Sequence, residues 1–333
     1  MKAFNKLRWE RIQESKFSFE EIKKYIKKIF NCEIKESSLT ELLSRIDKYE
    51  NINEELLISH IEPLIYKKVI IYSMKDLKKY DVHPIINTLS ENPLEKEYFK
   101  SHNRINLASR QFYEGDLGSV YKIIYYDDTK NDIFEIRMAC IKELEIKSIH
   151  NLSVMSTRNI NVYDSIKIII NLREGLVSIF YNDIPESKEK DKDNTQRKSD
   201  FSSLFFGKVT KNNLVKYTIA YELTEYINRY LREEEDGKST KLVQTIELRG
   251  ILKLKSEDRS SEEDFIHNKN TLKGIKEKLD SGSYKVAILE CNIKSKMVKF
   301  KDDGEIVLYD STFQPEVIED VCKEVFNGYN PFE

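Results

Sequence analysis

The stretch DSIKIIIN, Asp164–Asn171, decides the fold together with a short turn at Gly175 and the segment LVSIFYN, Leu176–Asn182. Three consecutive isoleucines, Ile168 to Ile170, place apolar side chains on both sides of a strand, because successive residues of a strand point to opposite faces. A strand that is apolar on both faces is covered on both faces. We therefore predict a hairpin whose first strand is buried from two sides.

A second hairpin precedes it. SVYKIIYY (Ser119–Tyr126) and IFEIRMACIKELEIK (Ile133–Lys147) are rich in β-branched and aromatic residues, and they flank the polar stretch DDTKND (Asp127–Asp132). Strand-forming segments on either side of a short turn-forming segment are typical of a hairpin. The sequence changes to this pattern at Gly115, and we predict that residues 114–184 are rich in β-hairpins.

The first third of the chain reads as helices. Two segments, Ser18–Glu21 and Ser38–Glu41, fit the capping box, in which the serine caps the helix and the glutamate reaches back to the serine amide. Apolar residues recur at helical spacing after both. A third helix should end near Pro63, and further helices are predicted from Ser73 and from Leu94 to Phe112. Residues 1–113 are thus predicted to form a helical domain.

The polar segment PESKEKDKDNTQRKSD, Pro185–Asp200, contains no apolar residue and is predicted to be an exposed loop or linker. After it, residues 201–333 are predicted to form a C-terminal α+β domain. Its elements are a helix in Leu214–Glu235, strand segments in Lys241–Lys255, Tyr284–Lys301 and Glu305–Asp310, a helix that begins after Ser260, and a helix in Pro315–Phe326. The predicted fold class is α+β, with a mainly antiparallel sheet in the C-terminal unit.

Composition limits the function. The chain of 333 residues has a net charge of −2, which argues against a protein dominated by polyanion binding, although local patches can still bind. The four cysteines are far apart and form no zinc-ligand pair, so free buried thiols are expected. We find no phosphate-loop or dinucleotide motif, and therefore predict no nucleotide cofactor. An N-terminus without an apolar run, and no apolar stretch of membrane-spanning length, predict a cytoplasmic protein without membrane contact.

The pattern Glu145-Ile146-Lys147 matches the Glu-x-Lys strand of restriction-endonuclease-like nucleases, where the glutamate binds Mg²⁺. If the hairpin that contains DDTKND is centred on that stretch, the numbers of facing residues sum to 259. Glu145 then faces Glu114 and lies near Asp116. These four residues, Glu114, Asp116, Glu145 and Lys147, could then form a magnesium-dependent site. The favoured interpretation is a polar strand face, because Leu144 and Ile146 supply the apolar one. No cofactor is then expected.

A basic sheet face is the second candidate. In IELRGILKLK the residues Ile246, Leu248, Leu252 and Leu254 alternate as an apolar face, which leaves Arg249, Lys253 and Lys255 on the other. Three lysines on or near the following strands, Lys294, Lys296 and Lys299, extend the patch. Such a face could bind nucleic-acid phosphates without reading sequence. A solvated lysine-rich face is the alternative.

These observations favour a non-catalytic binding or regulatory subunit with a protein partner. The scarcity of glycine and proline and the abundance of lysine, isoleucine and asparagine indicate AT-rich coding and hence a bacterial or phage source. Nucleic-acid association and a role in phage defence are hypotheses at this stage. The alternative is a Mg²⁺-dependent nuclease that uses the Glu-x-Lys pattern.

Overall fold

The computed structural model describes residues 3–73, 104–106, 117–130, 132–150, 154–184, 198, 201, 219–220, 223, 243–248, 252–255, 277, 286–294, 296–326 and 328–332. Five α-helices lie within these ranges: α1 (Ala3–Glu14), α2 (Phe19–Phe30), α3 (Leu39–Arg45), α4 (Glu54–Ile61) and α5 (Pro315–Val325). Short 3₁₀ turns follow α3 at Ile46–Lys48 and α4 at Glu62–Leu64.

Both predicted capping boxes mark helix starts, but their hydrogen bonds differ. Ser38 Oγ accepts from the Glu41 amide at 3.2 Å, while the Glu41 carboxylate accepts from the amide of Ser37 rather than that of Ser38. Ser18 precedes α2 in extended conformation without a side-chain cap bond. The helix that was predicted to end near Pro63 is α4, which ends at Ile61, and the Asn53 side chain caps its start.

Twelve strands of the described residues form one sheet, and every strand pair described in it is antiparallel. The strands are β1 (Lys68–Ser73), β2 (Arg104–Asn106), β3 (Lys122–Lys130), β4 (Ile133–His150), β5 (Val154–Asn171), β6 (Leu176–Tyr181), β7 (Ile219–Ala220), β8 (Val243–Leu248), β9 (Leu252–Lys255), β10 (Val286–Ile293), β11 (Lys296–Lys301) and β12 (Glu305–Leu308). Their order is β2-β3-β4-β5-β6-β1-β12-β11-β10-β8-β9, and β7 pairs with β1. The α+β class and the antiparallel sheet are thus as predicted.

Three strands lie where the sequence predicted helix. β1 falls in the supposedly all-helical residues 1–113, β2 lies inside the helix predicted for Leu94–Phe112, and β7 lies inside the helix predicted for Leu214–Glu235. These assignments were wrong because short apolar runs satisfy both periodicities, and long-range pairing decides between them. β1 pairs with β6 along its whole length and with β12 at Lys68–Ile70. The helix predicted after Ser260 falls outside the described residues apart from Glu277, which is helical.

Apolar cores cover the central strands on both faces, which confirms the prediction from Ile168–Ile170. Ile168 and Ile170 belong to one core, together with Ile70 of β1 and apolar residues of β3 to β6 such as Ile179. Ile169 joins the opposite core, which contains Phe180, Phe300 and the buried side of α5. A third core fills the space between the first four helices.

Buried polar contacts join the helices to one another and to the sheet. The Arg8 guanidinium, 1% exposed, lies 2.9 Å from the Glu62 carboxylate and also binds Glu55. Arg11 Nη2 donates to the carbonyl of Asp183 at 2.8 Å, just beyond β6. Lys167 Nζ on β5 donates to the carbonyl of Pro63. The helices and the sheet are therefore joined by directional bonds as well as by apolar contact.

The polar segment Pro185–Asp200 lies outside the described residues except for Lys198. The ammonium group of Lys198 is 3.0 Å from the carboxylates of both Asp303 and Glu305. Three residues later Phe201 is 1% exposed and packs edge-on against the rings of Tyr121 and Tyr181. The C-terminal end of the predicted linker is thus fastened to the sheet.

Candidate binding surface

A two-stranded ribbon extends from the sheet. β4 and β5 pair without a break from Ile133↔Asn171 to His150↔Val154. Among the described residues, β3 pairs with β4 only as far as Ala139, and β6 pairs with β5 only from Lys167 to Asn171. At about 3.3 Å per residue, the part of β4 beyond Ala139 is about 35 Å long.

The ribbon contains the Glu-x-Lys pattern. Glu145 pairs in register with Asn159, and Lys147 with Thr157. Glu143, two residues before Glu145, is exposed and accepts a hydrogen bond from the Asn159 amide at 2.8 Å. Glu143, Asn159 and Asn161 are exposed, and the polar face predicted at Glu145 and Lys147 stays a prediction.

The register assumed for the nuclease site was wrong. Facing residues of β3 and β4 have numbers that sum to 261 at Lys122↔Ala139 and to 263 at Lys130↔Ile133, instead of 259 throughout. The difference arises because β3 continues through DDTK to Lys130, so that only two residues separate it from β4, and because the ladder contains irregular steps. Asp132 takes the left-handed conformation that this tight turn requires. Glu114 and Asp116 lie outside the described residues.

A cleft of about 320 Å³ separates α1 from the base of the ribbon. Leu7, Glu10, Arg11, Gln13 and Glu14 line it from α1, and Ile160–Tyr163 line it from β5. The spacing of these α1 residues, one or two per turn, presents one side of the helix to β5. This cleft was not predicted from the sequence. Arg8 and Arg11 lie among apolar residues of α1, and that pattern indicates a helix that buries charge.

An ionic cluster lies beside the cleft and shares Arg11 with its lining. Asp164 is fully buried, and its carboxylate lies 3.8 Å from Arg11 and 3.6 Å from the Lys142 ammonium group. The hydroxyl of Tyr121 donates to the same carboxylate at 2.5 Å. Two cations and a hydroxyl compensate one buried carboxylate, so the geometry at the junction of α1, β4 and β5 is tightly specified.

The predicted basic face is divided by the fold. Lys296 shares a strand side with Val298 and Phe300, which pack in the core beneath α5, and its ammonium group is 3.6 Å from Asp320 of that helix. Lys294 binds the same carboxylate from a turn in left-handed conformation, and together these contacts lower the pKa of Asp320. The structure thus brings Lys294 and Lys296 together on an acid.

Lys299 lies on the other side of the sheet. It pairs in register with Glu290, and its ammonium group is 2.9 Å from that carboxylate and 3.0 Å from the hydroxyl of Tyr309. Burial opposes the charge of this lysine, but Tyr309 and Glu290 outweigh it and raise the pKa of Lys299. Lys299 is therefore separate from Lys294 and Lys296.

The remaining predicted basic residues belong to the β8–β9 hairpin. Lys253 pairs in register with Glu247, and Lys255 with Thr245. Ile246 pairs with Leu254 and Leu248 with Leu252, as expected if these four form one apolar face. Arg249 lies outside the described residues.

In the described part of the chain, no group of three or more histidine, cysteine, aspartate or glutamate side chains is placed to hold a metal ion. None of the described helices is long and apolar enough to cross a membrane. None of the four cysteines forms a disulfide; three are buried and Cys32 is half-buried. No protein-family model matches the chain, and no curated protein matches its sequence.

Proposed function

We propose that the protein is a non-catalytic binding or regulatory subunit of a bacterial or phage cytosolic assembly, and that it contacts a partner protein through the β4–β5 ribbon. The observation that carries this proposal is the length of the ribbon beyond its neighbours β3 and β6. An isolated two-stranded ribbon is marginally stable in water, so a long one is best explained by a partner that packs against it. Strand pairing and ribbon insertion are common modes of recognition.

The proposal is tested by shortening the ribbon. Leu144 and Ile160 face each other in register, so Glu145–Asn159 can be replaced by Asn-Gly, a pair that favours a two-residue hairpin turn. Tagged full-length and shortened proteins are expressed in the source cells and purified under identical conditions. We expect a partner to co-purify with the full-length protein and to be lost from the shortened one, while both keep the same circular dichroism spectrum. Equal recovery with both proteins, or no specific partner with either, would refute the proposal.

Nucleic-acid association is a secondary part of the proposal, restricted to Arg249, Lys253 and Lys255. The acids that bind Lys294, Lys296 and Lys299 reduce the positive charge that those three lysines can offer a phosphate. Among the described strands, the β8–β9 hairpin is at the end of the sheet order, a position that a long polymer reaches more easily than an internal strand. Weak, salt-sensitive binding that ignores sequence is expected.

The alternative, a Mg²⁺-dependent nuclease, is tested in the same preparations. A nuclease should cleave DNA or RNA with Mg²⁺ or Mn²⁺, and Glu145→Ala should abolish the cleavage. We expect no cleavage above that of the Glu145→Ala protein.

A further inference from the structure

We propose that Asp164 is a positioning residue: its buried carboxylate fixes the angle at which the β4–β5 ribbon leaves the sheet, and thereby directs the ribbon toward its partner. The inference deepens the proposed function and rests on it, because it names what orients the surface that the partner contacts. Three features support it: the position of Asp164 along β5, the separate segments that meet at its carboxylate, and the length of the ribbon.

Asp164 lies where the described strand pairing narrows to two strands. It faces Cys140 in register, one residue beyond Ala139, which is the last described residue of β4 to pair with β3. On β5, the described pairing with β6 begins three residues later, at Lys167. Two-stranded ribbons twist more strongly than wider sheets, so the direction of the ribbon depends on what holds its base.

Strand pairing brings a lysine to this carboxylate. On β4, Lys142 lies two residues beyond Cys140, the register partner of Asp164, so Lys142 and Asp164 are diagonal neighbours on one face of the ribbon. The Lys142 ammonium group is 3.6 Å from the carboxylate and 5.4 Å from the centre of the Tyr121 ring. The hydroxyl of Tyr121 donates to the same carboxylate. One side chain of β5 is thus bound to β4 and to the residue that precedes β3.

Arg11 extends these contacts to the helices. Its guanidinium is 3.8 Å from the Asp164 carboxylate, and it also donates to Glu14 of α1 and to the carbonyl of Asp183, just beyond β6. Both Arg11 and Asp164 are buried. Hydrogen bonds depend on direction, whereas apolar contact does not, so these bonds fix an angle as well as a contact. The base of the ribbon is therefore held against α1 as well as within the sheet.

The ribbon is long enough to convert a small change of angle into a large displacement. Asn159 pairs with Glu145, six residues beyond Ala139 on β4, which is about 20 Å at about 3.3 Å per residue. A swing of about 10° at the base would move Asn159 by about 3–4 Å. Protein interfaces are closely complementary in shape, so a partner that fits one direction of the ribbon does not fit another.

The test measures the direction of the ribbon in the full-length protein with two spin labels. They are attached at Asn159→Cys on the ribbon and at Glu20→Cys on the exposed side of α2, in a protein that carries Cys32→Ser and whose other cysteines are buried. Double electron–electron resonance gives the distribution of distances between the labels, which we expect to be narrow. Asp164→Asn removes the charge and keeps the shape of the side chain, and it should broaden the distribution by about 3 Å or more, as a swing of about 10° would.

Glu305→Gln is the matched control. Glu305 is also a buried carboxylate that is bound by two lysines and a tyrosine hydroxyl, but it lies on β12, which β6 and β1 separate from β5. Both substitutions should lower the unfolding free energy, but only Asp164→Asn should broaden the distribution and reduce recovery of the partner from cells. If circular dichroism shows that Asp164→Asn does not fold, Lys142 supplies the test. Lys142→Met should broaden the distribution, and Lys142→Arg, which keeps the cation, should leave it narrow.

Three results would overturn the inference: an unchanged distribution in folded Asp164→Asn or, if that variant does not fold, in Lys142→Met; equal broadening in Glu305→Gln; or full recovery of the partner by folded Asp164→Asn. The proposed function fails separately. If Asp164→Asn broadens the distribution but the wild-type protein retains no partner, the ribbon proposal is wrong, although Asp164 still sets the angle. If the distribution is unchanged and the partner is lost only from the shortened protein, the ribbon proposal stands and the role of Asp164 is wrong.

Discussion

Replacing the buried carboxylate of Glu305 should make the protein less stable in a pH-dependent way. Glu305 is 1% exposed and is bound by Lys198 at 3.0 Å, by Lys301 and by the hydroxyl of Tyr181. Burial by itself raises the pKa of a carboxyl group, but the two lysines and the hydroxyl outweigh it and lower the pKa of Glu305 to about 2. The charged form is therefore the one that the fold stabilises.

The magnitude follows from the shift. A fall from the ordinary value of 4.5 to about 2 corresponds to about 3 kcal/mol of folding free energy. Because the folded-state pKa is the lower one, this stability is fully present above about pH 4.5 and is lost as the pH falls toward about 2. Roughly 1.4 kcal/mol should remain at about pH 3.

Urea denaturation of the wild type and of Glu305→Gln, followed by circular dichroism, measures this contribution. We expect the difference in unfolding free energy to be about 3 kcal/mol near neutral pH and to shrink by about half at pH 3. Glu319→Gln is the control, because its ion pair with Lys323 is exposed and should be worth under about 0.5 kcal/mol at any pH. A difference for Glu305→Gln that stays constant between pH 7 and pH 3 would show that the reasoning from its pKa is wrong.

Three further predictions concern other parts of the molecule. Burial lowers the pKa of Lys167 to about 8, so the wild type should gain stability between about pH 8 and pH 10.5. Lys167→Met should abolish that gain and raise the unfolding free energy at pH 7 by about 1–3 kcal/mol, as measured by urea titration. Trypsin should cut first within Pro185–Asp200 at sites before Lys198, because the Lys198 ammonium is held between two acids; mass spectrometry of the first fragments identifies the sites. Lys253→Glu combined with Lys255→Glu should remove binding of a labelled DNA oligonucleotide at about 50 mM salt, as measured by anisotropy.

Each of these predictions has an outcome that contradicts it. A pH–stability profile of Lys167→Met that parallels the wild type would mean that the lysine is solvated in the folded state. Early cleavage after Lys198 would mean that its ion pairs do not protect it. For the DNA test, Lys294→Glu with Lys296→Glu is the matched control, and an equal loss of affinity in both double variants would place binding elsewhere.

Local sequence signals predicted those parts of the fold that local forces determine. Capping residues located the starts of α2 and α3, and the isoleucines of β5 correctly indicated a strand buried on two faces. β1 and β7 were missed because each is short, and β1 owes its conformation to pairing with strands far away in the chain.

The same limit applies to the candidate surfaces. Alternation predicted a polar strand face at Glu145 and Lys147, but it could not give the register, which depends on irregular steps between β3 and β4. The cleft could not be predicted because α1 and β5, which line it, are far apart in the sequence and meet only in the folded protein. The sequence showed that Lys296 and Lys299 are basic, but it could not show that the fold places a carboxylate beside each. Strand pairing brings Glu290 to Lys299, and α5 brings Asp320 to Lys296.

The position of β1 between β6 and β12 has a consequence for synthesis of the chain. Val69 pairs with Ile306, more than two hundred residues later, so the ribosome must add all of those residues before one edge of β1 can be filled along Lys68–Ile70. Contacts of such high sequence separation slow folding. Until β12 emerges, the nascent chain carries an apolar strand edge that other chains can pair with. A chain that stops before Glu305, where β12 begins, would keep that edge open permanently. Aggregation during expression, rather than loss of a single contact, is therefore the expected fate of such truncated chains.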